Sequence, residues 1–388
     1  MAESRRSIGI RALALQVVLV VAVAALIYGA STNAAQKLAK QGIVAGFGFL
    51  SRNAGFDISQ RLIPYQAATS TYLDAFLVGL FNTLLAAALG IVLATLIGFV
   101  VGIARLSPNL LARGLAASYV EALRNVPLLL QLLVWYVAVR VALPQAEAPA
   151  SLFGAAFVSQ RGLVLPRPDF SGFAWLVPLA FLAGIVALLS LRRRARLAAE
   201  TGLPPVRVWL PGIGLVLVLP GLAWIGLALA GHPVVLAFPV RGPYDVEGGL
   251  PILPEFAALV LGLSTYTAAF IAEIVRAGLS SVARGQGEAA AALGLSRGQA
   301  LRLVVIPQAM RAIVPPLTSQ YLNVTKNSSL AVLIGYPDLV HVFMGTVLNQ
   351  TNQAVEVVAI TMAVYLTLSL ATAFLMNLYN RRVTMVER

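Results

Sequence analysis

Long apolar runs constrain this chain more than any other feature of its sequence. A bilayer core about 30 Å thick requires roughly 20 apolar helical residues, because each helical residue advances the chain by about 1.5 Å. Seven runs are predominantly apolar, and an eighth, at 312–335, is apolar at both ends but contains several polar side chains. The runs cover 12–30, 75–103, 115–139, 173–191, 208–230, 255–279, 312–335 and 355–378. The sequence therefore predicts an all-α, polytopic membrane protein with about eight transmembrane helices.

The basic residues predict the orientation of these helices. The net charge of +13, from 28 Lys and Arg against 15 Asp and Glu, would suggest a nucleic-acid partner in a soluble protein. With 59% hydrophobic and 11% charged residues, this chain lies outside the soluble range. When the N-terminus is placed in the cytoplasm, most basic residues fall in cytoplasmic segments. We therefore expect a multi-pass protein with both termini cytoplasmic and no nucleic-acid partner.

The composition divides the chain into four segments. Residues 1–74 are expected to form an N-terminal anchor helix, which is not removed as a signal peptide, and a periplasmic loop. Residues 75–140 form the first part of the helical core. Residues 141–254 form an inserted block with two extra helices, which an arginine cluster at 192–196 joins. Residues 255–388 form the second part of the core and contain the longest cytoplasmic loop.

That cytoplasmic loop contains a short predicted helix at 288–293. Gly285 and Gly287 are expected to interrupt the preceding helix, and Gly294 fits a left-handed C-terminal cap. Ser296 and Gln299 then match a capping box for the next helix. The alanine face at 289–292 is too small for packing within the bundle and suits the groove of another protein. From the spacing alone, a partner dock and a solvated connector are equally supported.

The same loop resembles the EAA loop of ABC importer membrane subunits. The matching residues are Glu288, Ala289, Ala290, Gly294 and Pro307. The longer strings AEIVRAG at 272–278, GQ at 285–286, PQA at 307–309 and KNSSL at 326–330 resemble amino-acid-uptake permeases. The segment at 121–127 resembles the first helical pair of the same permeases. The segments at 46–50 and 54–59, with the inserted block, resemble the general, broad-specificity L-amino-acid type. Asn327 and Ile306 depart from the family pattern, in which Asp and Leu are usual, but neither lies in the docking helix.

This resemblance implies a type I ABC importer permease core in a bacterial inner membrane, importing L-amino acids by alternating access. The chain would be a non-catalytic subunit with no cofactor bound directly, and ATP and Mg would bind a cytoplasmic ABC ATPase dimer. A second homologous permease subunit and a periplasmic amino-acid-binding protein would complete the assembly. The ATPase-coupling residues would be Gly285, Glu288, Ala289, Ala290, Gly294 and Pro307.

Other transport and enzyme classes fit less well. A P-loop requires Gly-Lys followed by Ser or Thr, but Leu38, Gln41 and Asn327 follow the three lysines. The chain therefore cannot be its own P-loop ATPase. An ion-coupled secondary amino-acid transporter is the alternative, and it predicts an inverted repeat and carboxylates in mid-span. The sequence shows neither feature.

Polar residues within the predicted spans leave two interpretations open. A charge in mid-membrane costs about 2.5–3.5 kcal/mol even on insertion scales. Lys326, with Asn323, Asn327 and Ser328, either lines the substrate pathway or is a structural group that snorkels or binds freed carbonyls, and the structural interpretation is favoured. The i,i+3 pairs Glu121/Arg124 and Glu273/Arg276 are expected to neutralise each other. The glycines at 98 and 102 fit helix packing within the chain and a dimer interface equally well.

Overall fold

The structure is a computed structural model that describes residues 10–40, 46–169, 172–200, 209–242 and 246–383. Its helices are α1 (Ile10–Lys40), α2 (Tyr72–Ala104), α3 (Leu110–Asn125), α4 (Leu128–Ala142), α5 (Leu176–Glu200), α6 (Trp209–Leu229), α7 (Pro254–Ser280), α8 (Arg284–Ala292), α9 (Arg297–Ala300), α10 (Ile306–Asn327), α11 (Leu348–Thr351) and α12 (Ala354–Val383). The short 3-10 helices are Phe47–Ser51 and Ser328–Ile334, and the π-helical segments are Leu301–Val305 and Val340–Val347. The strands are β1 (Ala150–Leu152), β2 (Ala156–Ser159), β3 (Gly162–Leu165), β4 (Arg167–Pro168), β5 (Leu236–Ala237), β6 (Val240–Arg241), β7 (Val246–Glu247) and β8 (Leu250–Ile252).

The helical fold class is confirmed, and six described helical segments are long and apolar enough to cross a membrane. They are Tyr72–Ala104, Leu176–Ala195, Pro211–Leu229, Pro254–Ser280, Arg297–Ile334 and Ala354–Arg381. The span predicted at 115–139 is divided in the structure, because α3 and α4 meet at a bend of 110°; the described residues contain seven spans if this bent pair is counted as one. Pro127 follows the bend, and the residue before a proline avoids the helical conformation; Val126 accordingly has a ψ of 127°. The first predicted span lies within α1, whose apolar part, Ala14–Ala30, is shorter than the other six.

The chain divides into two compact units, Met1–Arg140 with Leu253–Arg388, and Val141–Ile252. In the first unit, α2 packs along α7 at very short range. A Cβ atom on Gly98 would lie 2.6 Å from the Cβ atom of Ile271, and one on Gly102 would lie 2.7 Å from the carbonyl oxygen of Ala272. Such contacts require glycine, so the two glycines serve packing within this chain.

The segment between α1 and α2 belongs to the core of the first unit. Phe49 from the 3-10 helix and Tyr65 from the following loop are buried beside Val78 of α2 and Phe343 of the second π-helical segment. Thr71 then begins α2 with a capping box, in which its hydroxyl accepts from the backbone N–H of Asp74 and the Asp74 carboxylate accepts from the backbone N–H of Thr71. These contacts fix the start of the first long span.

The second unit contains strands that the sequence pattern did not reveal. A four-stranded antiparallel sheet has the order β1-β2-β3-β8, and two further pairs join β4 with β5 and β6 with β7. Strands of two to four residues are too short to show a period of two, and β3 pairs with a strand far along the chain. The second unit also places α5 against α6, where a Cβ atom on Gly184 would lie 2.8 Å from the Cα atom of Val216.

The arginine cluster that was expected to join two helices lies inside the first of them. Helix α5 continues to Glu200, so the arginines at 192–194 lie within that helix and not in a connection. Long arginine side chains are good helix formers, which favours continuation of the helix beyond the apolar run. The connection itself, at 201–208, lies outside the described residues.

Candidate functional site

The helix of the EAA-like loop begins earlier than the sequence predicts. Helix α8 starts at Arg284 and includes Gly285 and Gly287, so the prediction that these glycines interrupt the chain is wrong. Both lie in the first turn of the helix. There the backbone N–H groups lack partners within the helix whatever the residue, and no atom approaches within 4 Å of a Cβ built on either glycine. The helix is therefore nine residues long.

The C-terminal end of α8 is fixed by a left-handed glycine, as the sequence predicts. Gly294 has a φ of +76°, a conformation that L-residues with a side chain seldom adopt. Its N–H donates to the carbonyl oxygen of Ala291 over 2.9 Å, and the Leu295 N–H donates to the carbonyl oxygen of Ala290 over 3.1 Å. This pair of bonds is a Schellman motif. The cap turns the chain sharply out of α8.

The predicted capping box at the start of α9 is also confirmed. The Ser296 hydroxyl accepts from the N–H of Gln299, and the Ser296 N–H donates to Oε1 of Gln299 over 2.9 Å. From α9 the chain continues through a π-helical segment into α10. Gln308 near the start of α10 donates to Oε1 of Gln286 over 3.1 Å. Segment 284–299 is thus anchored to the bundle by a side-chain bond as well as by its two chain ends.

The surface of α8 presents both acidic and apolar groups. Glu288, Ala289, Gly285 and Gly294 are exposed, and Pro307 is partly buried. Leu293, which follows the last residue of α8, is 82% exposed and adds an apolar group to this surface. Ala290 is only 3% exposed, so one residue of the alanine face packs against the bundle, contrary to the expectation that this face is too small to do so. The remaining face can contact another protein.

The four polar residues near the end of α10 do not share one pocket. Lys326 lines a cavity of about 600 Å³ with Ser329, Thr361 and Tyr365. Its ammonium forms no ion pair and no bond to a carbonyl in the described part of the chain. The other three residues do not line this cavity. Asn323 is exposed, Asn327 is half-buried, and Ser328 is buried and donates to the carbonyl oxygen of Thr325 over 2.8 Å.

A buried carboxyl group that the sequence analysis missed lies at Asp338. Its Oδ1 accepts from the N–H of His341 over 2.8 Å, and its Oδ2 accepts from the Tyr365 hydroxyl of α12 over 3.4 Å. The next residue, Leu339, donates its N–H to the Thr83 hydroxyl of α2 over 2.9 Å. Burial raises the pKa of Asp338 to about 7. The only available signal was a single acidic residue in the otherwise uncharged stretch 331–355.

The two predicted i,i+3 charge pairs behave differently. Glu273 accepts from Nε of Arg276 over 3.1 Å, so the Glu273/Arg276 pair is confirmed, and Glu273 also pairs with Arg105, the residue after α2. Glu121 and Arg124 form no ion pair in the described structure, so that prediction is wrong. The Arg124 guanidinium lies instead over the ring of Phe270, 5.3 Å from its centroid.

Comparison with known proteins places these features in a family. The family described as "Binding-protein-dependent transport system inner membrane component" matches residues 90–385. The chain is 48% identical to "Putative amino-acid ABC transporter permease protein YhdX" of Escherichia coli (strain K12), over 98% of this chain and 95% of that protein. It is 46% identical to the general L-amino acid transport system permease protein AapQ of Rhizobium johnstonii, over 97% and 93% of the two chains. It is 39% identical to the glutamate/glutamine/aspartate/asparagine transport system permease protein BztB of Rhodobacter capsulatus, over 97% and 95%.

The family match covers the long spans from within α2 to α12 and includes the capped helix α8, the Lys326 cavity and the buried Asp338. Three relatives match along nearly their whole length. The chain belongs to the family of binding-protein-dependent transport system inner membrane components.

Proposed function

We propose that this chain is the permease subunit of an ATP-driven ABC importer that moves L-amino acids into the cytoplasm by alternating access. The match to three amino-acid permeases along nearly the whole of both chains carries this proposal. The chain itself would hydrolyse no ATP. A cytoplasmic ATPase dimer would bind ATP and Mg, and a periplasmic binding protein would deliver the substrate.

The coupling part of the proposal rests on α8. A dock must transmit force between two discrete arrangements, which requires a short, rigid element with fixed ends. Helix α8 has a Schellman cap at one end, and near the other end Gln286 accepts a side-chain hydrogen bond from Gln308 of α10. Glu288 and Leu293 are exposed on it and supply a charged and an apolar contact. We assign ATPase coupling to Gly285, Glu288, Ala289, Ala290, Gly294 and Pro307.

The proposed translocation pathway includes Lys326. Lys326 lines a cavity and has no carboxylate partner among the described residues, so it supplies a charge that a substrate carboxylate can satisfy. Asn323, Asn327 and Ser328 are included as neighbours on the same stretch of chain. A second homologous permease subunit would form the other wall of the pathway. Both termini would be cytoplasmic in a bacterial inner membrane. Residues 1–74 would form the anchor helix and the periplasmic loop. Residues 75–140 and 255–388 would form the permease core, and 141–254 would form the inserted block.

Reconstitution tests the proposal directly. The chain is co-purified from native membranes with its partners and placed in proteoliposomes, and uptake of labelled L-glutamine is measured with the binding protein present. We expect uptake that requires ATP, stops with vanadate and resists an uncoupler. Uptake that an uncoupler abolishes and vanadate leaves intact would refute the proposal in favour of an ion-coupled transporter. Omission of ATP is the control for leakage.

A further inference from the structure

A second cavity lies between the ends of α2, α3 and α7. It has a volume of about 420 Å³, within the range of about 300–1,000 Å³ that is usual for small-molecule sites. Val120 and Phe270 form apolar walls, and Asn125 adds an amide group. Arg105, Glu121, Arg124 and Glu273 supply charge. We name this cavity the Glu121–Arg124 pocket.

Not all charges in this pocket are neutralised by other described residues. Glu273 is satisfied twice, by Arg105 and by Arg276. Glu121 and Arg124, by contrast, form no ion pair in the described residues, and both side chains are exposed. One separate negative group and one separate positive group therefore line the same cavity. The Glu121 carboxylate would repel a simple anion, and the Arg124 guanidinium would repel a simple cation. A zwitterion can pair with both groups.

The position of Arg124 suits recognition of a carboxylate. Its guanidinium lies over the Phe270 ring, 5.3 Å from the centroid. Contact with a ring face orients the guanidinium plane and leaves its N–H groups available at the edges, where a carboxylate binds bidentately. Four of the cavity's residues lie within 120–125 of α3, and Phe270 lies on the neighbouring α7. The two unpaired charges thus lie at one place, on one end of the bundle.

We infer that the Glu121–Arg124 pocket binds a free amino acid, with the α-carboxylate on Arg124 and the α-ammonium on Glu121. This inference rests on the proposed function and adds a second substrate contact, separate from Lys326. Glu273 precedes the last residue of α7, Ser280, by seven positions, or about 10 Å along the helix, and α8 follows directly. The pocket therefore lies at the α8 end of the bundle, which is the cytoplasmic end in the proposed orientation. An amino acid there is one that has crossed the membrane or enters from the cytoplasm.

Paired substitutions and substrate analogues test each contact separately. The purified complex, without binding protein, is placed in nanodiscs that lack phosphatidylethanolamine, and equilibrium binding is measured for three probes. L-glutamine has both charged groups, glutaramic acid lacks the α-ammonium, and 4-aminobutanamide lacks the α-carboxylate. In the unmodified complex, L-glutamine is expected to bind at least about tenfold more tightly than either analogue, because each analogue leaves one charge unpaired.

Each variant is expected to lose one form of discrimination. The variants are made in a Lys326→Gln background, which removes the other proposed carboxylate contact. There Arg124→Gln should bind L-glutamine no better than 4-aminobutanamide while still preferring it to glutaramic acid, and Glu121→Gln should show the reverse pattern. Arg113→Gln, on the same helix but outside the pocket, is the matched control and should retain the discrimination of the unmodified complex.

The failures of the two proposals can be distinguished. Unchanged discrimination in both variants, together with ATP-driven uptake by the unmodified complex, would overturn the pocket assignment and leave the importer proposal intact. Displacement of L-glutamine when phosphatidylethanolamine is added would assign the pocket to that zwitterionic headgroup and would also overturn the inference. Loss of binding of all probes in Arg124→Gln alone, with normal folding by thermal melting, would contradict the separate role of Glu121.

Discussion

A graded series at Gly294 tests whether the capped helix α8 couples the permease to an ATPase. Gly294 has a φ of +76°, and no atom lies within 4 Å of a Cβ built there, so substitution adds backbone strain without a steric clash. For alanine, the left-handed conformation costs about 1–2 kcal/mol, which lowers the capped population by roughly 5–30-fold. Asparagine tolerates this conformation and should cost less. Proline cannot reach a positive φ and also removes the N–H that donates to Ala291, so about 3 kcal/mol or more is lost.

The assay is ATP hydrolysis by the reconstituted complex, with and without substrate-loaded binding protein. Stimulated hydrolysis is expected to decline in the order Gly294→Asn, Gly294→Ala, Gly294→Pro, with the last showing no stimulation. Gly298→Ala is the control, since Gly298 lies in α9 with no unusual φ and open space around it. Membrane insertion should be normal in all four variants, because the cap lies outside the packed core. Full stimulation of Gly294→Pro in an assembled complex would refute the docking role of α8.

Three further predictions follow from other parts of the structure. Glu288→Lys should insert normally but abolish substrate-stimulated ATP hydrolysis, with Glu288→Gln intermediate; normal stimulation of the lysine variant would contradict a charged contact. Gly98→Ala should destabilise the protein by about 1–3 kcal/mol, because its Cβ atom would overlap Ile271 of α7. Gly114→Ala, in an open part of α3, should instead be neutral or stabilising by about 0.5–1 kcal/mol, and equal melting temperatures would argue against the close packing. Asp338→Asn tests the buried carboxyl: its raised pKa of about 7 makes the folded state bind a proton that the unfolded state releases near pH 4, so the unmodified protein loses stability between pH 4 and 7. The variant cannot ionise at this position. The difference in melting temperature, variant minus unmodified protein, should therefore increase by at least about 2 °C from pH 5 to 8. A difference that stays constant over this range would exclude ionisation of Asp338.

The sequence was most informative where a local rule determines the structure. Apolar length located six spans, and the residue types at Gly294, Ser296 and Gln299 predicted two helix ends that the structure contains. Caps depend on neighbours within about five residues, so they can be inferred from short strings. The same reasoning was wrong at Gly285 and Gly287, because glycine in a first turn is compatible with a helix as well as with a break.

Features that depend on distant partners could not be inferred in this way. The pair Glu121 and Arg124 satisfies the same spacing rule as Glu273 and Arg276, yet only the second pair forms. The Arg124 guanidinium lies over the Phe270 ring of α7 and not against Glu121. That contact exists only after α3 and α7 pack together. The burial of Asp338 likewise depends on α2 and α12, which lie far from it in the chain.

The sequence by itself determined that this is a helical membrane protein with a capped helix between two of its spans, because apolar length and helix caps are local properties. The tertiary structure decided which glycines pack α2 against α7, that the chain bends at Pro127, and where unpaired charges meet. Side chains from different helices come within bonding distance only when the bundle is formed. Charge spacing along one helix therefore does not identify a site until its neighbours are known.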